Sequence, residues 1–115
     1  MFEFLKKSDP TIDMTPQQVK ARLDAADGAI LLDVRESWER DIATIDGASW
    51  IPMDELEEKF SQLDTGKEIV VYCHSGGRSL RATRFLRGKG FTRAYNLKGG
   101  ISAWTETIDS SLRKY

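Results

Sequence analysis

The sequence has a single cysteine and a single histidine among its 115 residues. One cysteine cannot form an internal disulfide, and one cysteine with one histidine cannot supply the four protein ligands of a structural zinc site. A free thiol persists in a reducing compartment, so this cysteine usage leads us to expect a cytoplasmic protein.

The sequence also lacks a large net charge and long apolar runs. Its net charge is −1 with a pI of about 5.8, so no overall attraction to nucleic acid or to an anionic membrane is expected. The first segment, MFEFLKKSDP, has its lysines after a short apolar cluster, whereas a secretory signal has positive charge first. We therefore expect neither a nucleic-acid nor a membrane partner.

Length and composition are those of one ordinary globular domain. Hydrophobic residues make up 40% and charged residues 30%, and a chain of this length can bury one core without metal or disulfide support. We expect residues 1–10 to form an N-terminal lead-in, in which Phe2, Phe4 and Leu5 dock on the domain, and residues 11–115 to form a single domain.

Helix and strand signals alternate along the chain. Thr15, Pro16 and Gln18 mark the start of a helix at about 16–24. Two apolar runs, in AILLDVRE (29–36) and at about 68–72, are typical of strands covered on both faces. Further signals predict a short helix capped by Ser37, a turn at Asp46-Gly47 before an extended stretch, a helix at about 54–60, a helix beginning near Ser79, a third strand in FTRAYNLKGG (91–100) and a last helix that packs Ile101, Trp104 and Ile108. This order predicts a three-layer α/β domain with a mainly parallel sheet.

The cysteine lies between a predicted strand and a predicted helix, in VVYCHSGGRS (70–79). The carboxyl ends of parallel strands meet at the functional edge of such a sheet, which is where Cys73 is expected. Gly76 and Gly77 let the backbone curl so that its N–H groups converge, and Arg78 adds positive charge. These surroundings favour the nucleophilic thiolate over the alternative of a buried structural cysteine.

Other polar residues near this loop are expected to have supporting roles. His74 is predicted to be a loop residue and not a general base, because neighbours on a curling loop point in different directions. Asp33 and Arg35 follow the first buried strand, where they could act as a catalytic carboxylate and cation or have a structural role. The Gly99-Gly100 pair predicts a tight turn. The three tryptophans are expected in the core: Trp38, Trp50 and Trp104.

The spacing within the loop bears on its chemistry. A thiolate in a nest of N–H groups serves either phosphate ester cleavage or transfer of sulfane sulfur through a persulfide. Four residues separate Cys73 from Arg78, one fewer than in the cysteine phosphatase pattern. The shorter loop makes a tighter cradle, which suits the outer sulfur of a persulfide better than a phosphoryl group. A second cysteine to resolve a disulfide is also lacking, which disfavours a thioredoxin-like or peroxide-reducing role.

The chain resembles a single-domain rhodanese in four segments: LLDVRESWE (31–39), IDGASWIPMDEL (45–56), VVYCHSGGRS (70–79) and NLKGGISAW (96–104). The resemblance implies the rhodanese-like three-layer fold, with a five-stranded, mainly parallel sheet flanked by helices. It also implies that Cys73 takes sulfur from a small anionic donor such as thiosulfate and passes it to a thiophilic acceptor such as cyanide or a thiol, without metal or cofactor. The resemblance further implies a six-residue active loop that runs from Cys73 to Arg78, and a structural role for Asp33 and Arg35, with Arg35 near the site. The residues expected to bind substrate are His74, Ser75, Gly76, Gly77, Arg78 and Ser79.

The resemblance is incomplete at two positions and leaves several functions open. Thr44 stands where a histidine is common in the family, and Asp46 where proline is frequent, so we expect the turn near the site to differ in shape, and the substrate preference of the family is not carried over to this chain. The chain could also be a sulfur carrier with a protein acceptor, or a non-catalytic rhodanese-like binding module, although such modules usually lack the cysteine. A cysteine-dependent phosphatase or arsenate reductase is opposed by the loop length.

Overall fold

The computed structural model describes residues 9–25 and 28–115, and a five-stranded sheet lies at its centre. The strands follow the order β1-β5-β4-β2-β3, and every pair of neighbours is parallel. They are, in chain order, β1 (Asp13–Met14), β2 (Ile30–Asp33), β3 (Ser49–Trp50), β4 (Ile69–Tyr72) and β5 (Ala94–Leu97). The predicted α/β architecture is confirmed. The lead-in predicted for residues 1–10, with Phe2, Phe4 and Leu5, lies outside the described residues except for residues 9 and 10.

Helices connect the strands and cover both faces of the sheet. They are α1 (Pro16–Asp24), α2 (Ser37–Ile42), α3 (Leu56–Lys59) with a 3-10 turn on each side (Met53–Glu55 and Phe60–Gln62), α4 (Gly77–Gly88) and α5 (Gly100–Thr107). Thr15 caps α1 as predicted, because its hydroxyl accepts a hydrogen bond from the backbone N–H of Gln18. Within the described residues, no helix has both the length and the apolar character needed to cross a membrane.

Two helix starts differ from the predictions. The predicted cap Ser37 is the first residue of α2, and Glu36 precedes it as the cap in extended conformation. Helix α4 begins at Gly77 and not near Ser79, because Gly76 takes up a left-handed conformation that few other residues adopt and ends the loop there. The loop after Cys73 therefore ends at Gly76, which is earlier than predicted. Gly77, Arg78 and Ser79 form the first turn of α4.

The neighbouring strands β2 and β4 send alternate side chains into two separate cores. Leu32 and Val71 lie on one face, and Leu31 and Val70 on the other. The first face packs against α3 and α4, while the second packs against α1 and α5, through side chains that include Leu56, Leu86, Val19, Ile101 and Trp104. Because both faces are covered, these strands are apolar throughout instead of alternating with polar residues.

The prediction that all three tryptophans lie in the core is correct for one of them. Trp104 is 5% exposed, whereas Trp38 is 55% and Trp50 is 41% exposed. The prediction was wrong for the latter two because β3 is an edge strand and α2 is only six residues long. Polar contacts hold both indoles at the surface, where Trp38 Nε1 donates to the Glu36 carboxylate (3.1 Å) and Trp50 Nε1 to the Arg35 carbonyl (2.8 Å).

This difference in burial predicts different costs of truncation. We expect Trp104→Ala to lower the free energy of unfolding by about 3–5 kcal/mol, because it leaves a cavity between α5 and the sheet. The matched variant Trp38→Ala removes a mostly exposed ring and should cost about 1 kcal/mol or less. Urea unfolding of both variants measures the difference, and equal costs would contradict the placement of these two rings.

Candidate active site

The only cysteine of the chain is buried where β4 ends. Cys73 is 1% exposed and directly follows the strand, at the carboxyl edge of the sheet. Three donors converge on its sulfur: the Gly76 amide at 3.1 Å, the Ser79 amide at 3.4 Å and the Ser79 hydroxyl at 3.3 Å from Sγ. Such a set of N–H and O–H groups is placed to stabilise negative charge on the sulfur.

The start of α4 places these donors. Gly76 has a φ of 110°, which turns the chain back over Cys73, and Ser79 lies in the first helical turn, where amides lack an intrahelical acceptor. The amides of Gly77 and Arg78 belong to the same turn and have no acceptor among the described residues. The loop therefore holds further N–H groups that are available to an anion bound beside the sulfur.

A second row of polar side chains fixes Ser79. Asn96 Nδ2 donates to the Asp13 carboxylate (2.9 Å), which turns its amide oxygen towards Ser79. The Ser79 hydroxyl is 2.6 Å from this oxygen, and it has only one proton to donate. When that proton goes to Asn96, the lone pairs of Ser79 face Sγ and can accept from the thiol. Rotation of the same hydroxyl allows it to donate to the thiolate.

The start of α5 holds the other side of the loop. The Ile101 amide donates to the Cys73 carbonyl (2.9 Å), and the Ser102 amide to the His74 carbonyl (3.0 Å). Gly100 has a φ of 62°, and a Cβ atom there would lie 2.5 Å from the Cys73 carbonyl oxygen. The predicted glycine turn is present, but its contact with the active loop is a functional constraint that the sequence analysis missed.

The charge of Arg78 is paired with a carboxylate that the sequence analysis did not single out. Arg78 makes two 2.7 Å hydrogen bonds to Glu39 of α2. The Glu39 side chain is 2% exposed. Burial tends to raise the pKa of the Glu39 carboxyl, but the hydrogen bonds from Arg78 and from the Glu36 amide outweigh burial and lower it to about 2. In the sequence, the spacing of Glu36 and Glu39 at a helix start indicates only a capping role. The pairing of Glu39 with Arg78 joins two distant segments, so it becomes visible only in the fold.

Tyr115 joins this ion pair to the active loop. Its hydroxyl donates to Glu39 Oε1 (2.9 Å), and burial raises its pKa to about 12, so the proton is retained at neutral pH. Its ring stacks on His74, with the ring centroids 4.1 Å apart. His74 thus packs on an aromatic ring, and its role as a loop residue stays a prediction, as does that of the exposed Ser75.

Asp33 and Arg35 lie in a fully buried network behind the loop. The Asp33 carboxylate accepts from the Arg35 guanidinium (2.8 Å) and from the Tyr72 hydroxyl (2.9 Å). Arg35 also donates to the Ala43 carbonyl (2.7 Å) and to Tyr115 (2.8 Å), which ties both ends of α2 to the sheet. These contacts agree with the structural role expected for the pair.

The two positions at which the chain departs from the family pattern lie together in a separate depression. Thr44 and Asp46 line a depression of about 400 Å³ that contains no residue of the Cys73 loop, so any effect of these two residues on substrate preference stays a prediction. Across residues 9–25 and 28–115, no group of three or more His, Cys, Asp and Glu side chains could hold a metal ion.

The fold and the site together define a rhodanese-like domain. Residues 15–107 match the family described as Rhodanese-like domain, and the chain belongs to this family. A rhodanese-related protein from Thermoplasma volcanium has a similar crystal structure, with a TM-score of 0.77 and 31% sequence identity over 84% of this chain and 93% of that one. The family predicted from the four sequence segments is therefore confirmed.

Similar curated proteins are named for sulfur chemistry. A protein named Sulfurtransferase from Allochromatium vinosum is 32% identical over 92 residues, which cover 80% of this chain and 86% of that protein. The putative sulfur carrier protein YrkF from Bacillus subtilis is 34% identical over 93 residues, which cover 81% of this chain and 50% of YrkF. Across three of the curated relatives, the match spans only 26% to 50% of their length. Sulfur transfer is the general chemistry that these matches support.

The close approach of α5 to the active loop predicts a large effect at Gly100. We expect Gly100→Ala to lower the free energy of unfolding by about 2 kcal/mol or more, because the methyl group would meet the Cys73 carbonyl and the left-handed backbone would be strained. Gly88→Ala is the matched control at an open position in α4 and should be neutral or slightly stabilising. Urea unfolding tests both, and a Gly100→Ala protein as stable as the wild type would refute this contact.

The lowered pKa of Glu39 predicts a pH-dependent stability. A carboxyl with a pKa of about 2 in the folded chain and an ordinary value of 4.5 stabilises the fold above about pH 4.5, and this contribution is lost as the pH falls towards 2. The stability difference between wild type and Glu39→Gln should therefore shrink by on the order of 3 kcal/mol from neutral pH to about pH 2.

Urea unfolding across this pH range measures the change. The control is Glu57→Gln, which alters an exposed carboxylate on α3 and should leave the pH dependence as in the wild type. A difference between wild type and Glu39→Gln that stays constant with pH would contradict the pairing of Glu39 with Arg78.

Proposed function

We propose that the protein transfers sulfane sulfur through a persulfide on Cys73. The observation that carries this proposal is the convergence, on the sulfur of the only cysteine, of two backbone amides and of the Ser79 hydroxyl, whose one proton can go to the sulfur or to Asn96. These groups lie where they can donate to a sulfur anion, and the next amides, those of Gly77 and Arg78, have no acceptor among the described residues and can hold a second sulfur. The family and the names of its relatives support the same chemistry.

Loading begins with attack of the Cys73 thiolate on the sulfane sulfur of a donor. With thiosulfate, the new bond forms between Sγ and the outer sulfur, the S–S bond of thiosulfate breaks, and its electron pair leaves with sulfite. Charge balances, since a thiolate and thiosulfate become a persulfide anion and sulfite. The outer sulfur then lies against the amides of Gly77 and Arg78, and the N-terminal end of the α4 dipole favours its charge.

Unloading returns Cys73 to its thiolate form. A nucleophile such as cyanide attacks the outer sulfur, the Sγ–S bond breaks, and its electron pair returns to Sγ as thiocyanate leaves. A thiol acceptor reacts in the same way, and its proton moves to the transferred sulfur in the acceptor persulfide. No external oxidant or reductant takes part, because the sulfane sulfur keeps its oxidation level.

The paired state of Arg78 shapes the choice of donor. Glu39 balances the charge of this arginine, so attraction of an anionic donor depends on the loop amides more than on a free cation. Arg78 then acts mainly by fixing the first turn of α4 against α2. This arrangement is compatible with thiosulfate as a donor and equally with a protein that delivers sulfur.

The test is intact-mass spectrometry after brief exposure to thiosulfate. The wild type should gain the mass of one sulfur and lose it again with cyanide, with release of one thiocyanate per chain. Cys73→Ser, matched in size and polarity at a loop position, should keep the fold by circular dichroism and gain nothing.

Two results would contradict the proposal. If the folded wild type gains no sulfur from thiosulfate or from a persulfide donor such as glutathione persulfide, the protein is a binding module that does not use its cysteine. If the wild type instead hydrolyses an aryl phosphate and Cys73→Ser does not, the site performs phosphoryl chemistry.

A further inference from the structure

A surface cleft begins beside Arg78, in the first turn of α4. Its inner part, about 210 Å³, is lined by Arg78 together with Val34, Glu36, Pro52, Met53 and Asp54. Its outer part, about 220 Å³, is lined by Trp50 together with Glu36, Ser37, Pro52, Asp54 and Glu55. The two parts share Glu36, Pro52 and Asp54, so they form one continuous surface, which we call the entry cleft.

The unpaired charges of the entry cleft are negative. Arg78 is held by Glu39, and Glu55 is paired with Lys59. Two other carboxylates remain. Glu36 is exposed and its carboxylate accepts from neutral groups, the Trp38 indole and the backbone of Glu39, and the exposed Asp54 has no partner among the described residues. A ligand that enters along this cleft therefore passes two carboxylates that form no salt bridge within the described residues, while Arg40, which lies 5.0 Å from the centre of the Trp50 ring, is bonded to the buried Asp33.

Exposed aromatic surface borders the same cleft. The indole of Trp50 is bonded to the Arg35 carbonyl and that of Trp38 to the Glu36 carboxylate, so the two rings flank residues 35–37. The Trp38 ring also meets Tyr115 edge to face, with centroids 5.9 Å apart, and Tyr115 stacks on His74 of the active loop. Large exposed rings beside unpaired charge are typical of protein-binding surfaces, where tryptophan provides much of the binding energy.

We propose that the entry cleft docks a basic segment of a partner protein, which presents a cysteine thiol to the persulfide of Cys73. This inference rests on the proposed function and names its acceptor. Lysine or arginine side chains of the partner would pair with Glu36 and Asp54, and their aliphatic stems would lie against Trp50 and Pro52. The two carboxylates would disfavour an acidic segment on the same path.

The transfer step follows the chemistry already described. The acceptor thiol attacks the outer sulfur, the Sγ–S bond breaks, Cys73 leaves as a thiolate, and the proton of the thiol ends on the acceptor persulfide. Sγ itself is buried, and the entry cleft reaches Arg78 in the first turn of α4, so a segment docked there would bring its sulfur close to the loop.

The experiment compares two synthetic peptides as acceptors for the sulfur-loaded protein. Each contains one cysteine, flanked by lysines in one peptide and by glutamates in the other, with the cysteine in the same setting. At low ionic strength we expect kcat/KM to be about tenfold higher for the lysine peptide, and added sodium chloride should reduce the ratio.

Charge variants locate the effect. Glu36→Gln/Asp54→Asn should remove most of the preference, whereas Glu57→Gln/Glu106→Gln, with the same change in net charge at exposed positions outside the cleft, should retain it. Release of thiocyanate to cyanide should be unchanged in both double variants, because none of the four side chains contacts the Cys73 sulfur and the backbone amide of Glu36 that donates to Glu39 is kept.

The outcomes separate this inference from the proposed function. If the loaded wild type releases thiocyanate but uses both peptides equally, or prefers the glutamate peptide, docking of a basic segment is refuted while the sulfur chemistry stands. Equal loss of preference in both double variants would also refute it, since the effect would then reflect overall charge. If the wild type never releases thiocyanate, the proposed function fails and this inference fails with it.

Discussion

The buried ion pair between Asp33 and Arg35 is the interaction on which the active site depends. The Asp33 carboxylate accepts five hydrogen bonds, from the Arg35 amide and guanidinium, from Arg40 and from Tyr72. Removing two charges from water is costly, and only such complete pairing makes it tolerable. The pair anchors α2 at the end of β2, and α2 carries Glu39, which holds Arg78 and so the first turn of α4.

The sulfur of Cys73 is consequently surrounded by backbone that several elements hold in place. The start of α4 supplies amides to Sγ, and the start of α5 binds the carbonyls of Cys73 and His74. Because the donors are mostly main-chain groups fixed by helices, they need little rearrangement when negative charge appears on the sulfur. Ser79 is the one side chain among them, and rotation of its hydroxyl adapts the site to thiol or thiolate.

The sequence predicts local features of this structure better than contacts between distant segments. The cap of α1, the two central apolar strands and the glycine-rich cysteine loop were all recognisable, because each depends on neighbouring residues. Strand β1 has only two residues and no apolar run of its own, so only the family resemblance implied a fifth strand. The pairs Arg78–Glu39 and Cys73–Gly100 join segments about 30 to 40 positions apart, where no spacing rule applies. Trp38 and Trp50 were misplaced because aromatic residues indicate burial only on average.

The two outermost strands of the sheet, β1 and β3, have two residues each. Each therefore offers only a short row of unsatisfied main-chain groups to a strand from another molecule. Long, flat outer strands are templates for intermolecular β-pairing, and shortening them is a common protection against aggregation. The two short edge strands therefore protect this parallel sheet, whose central strands are apolar on both faces, from intermolecular strand pairing.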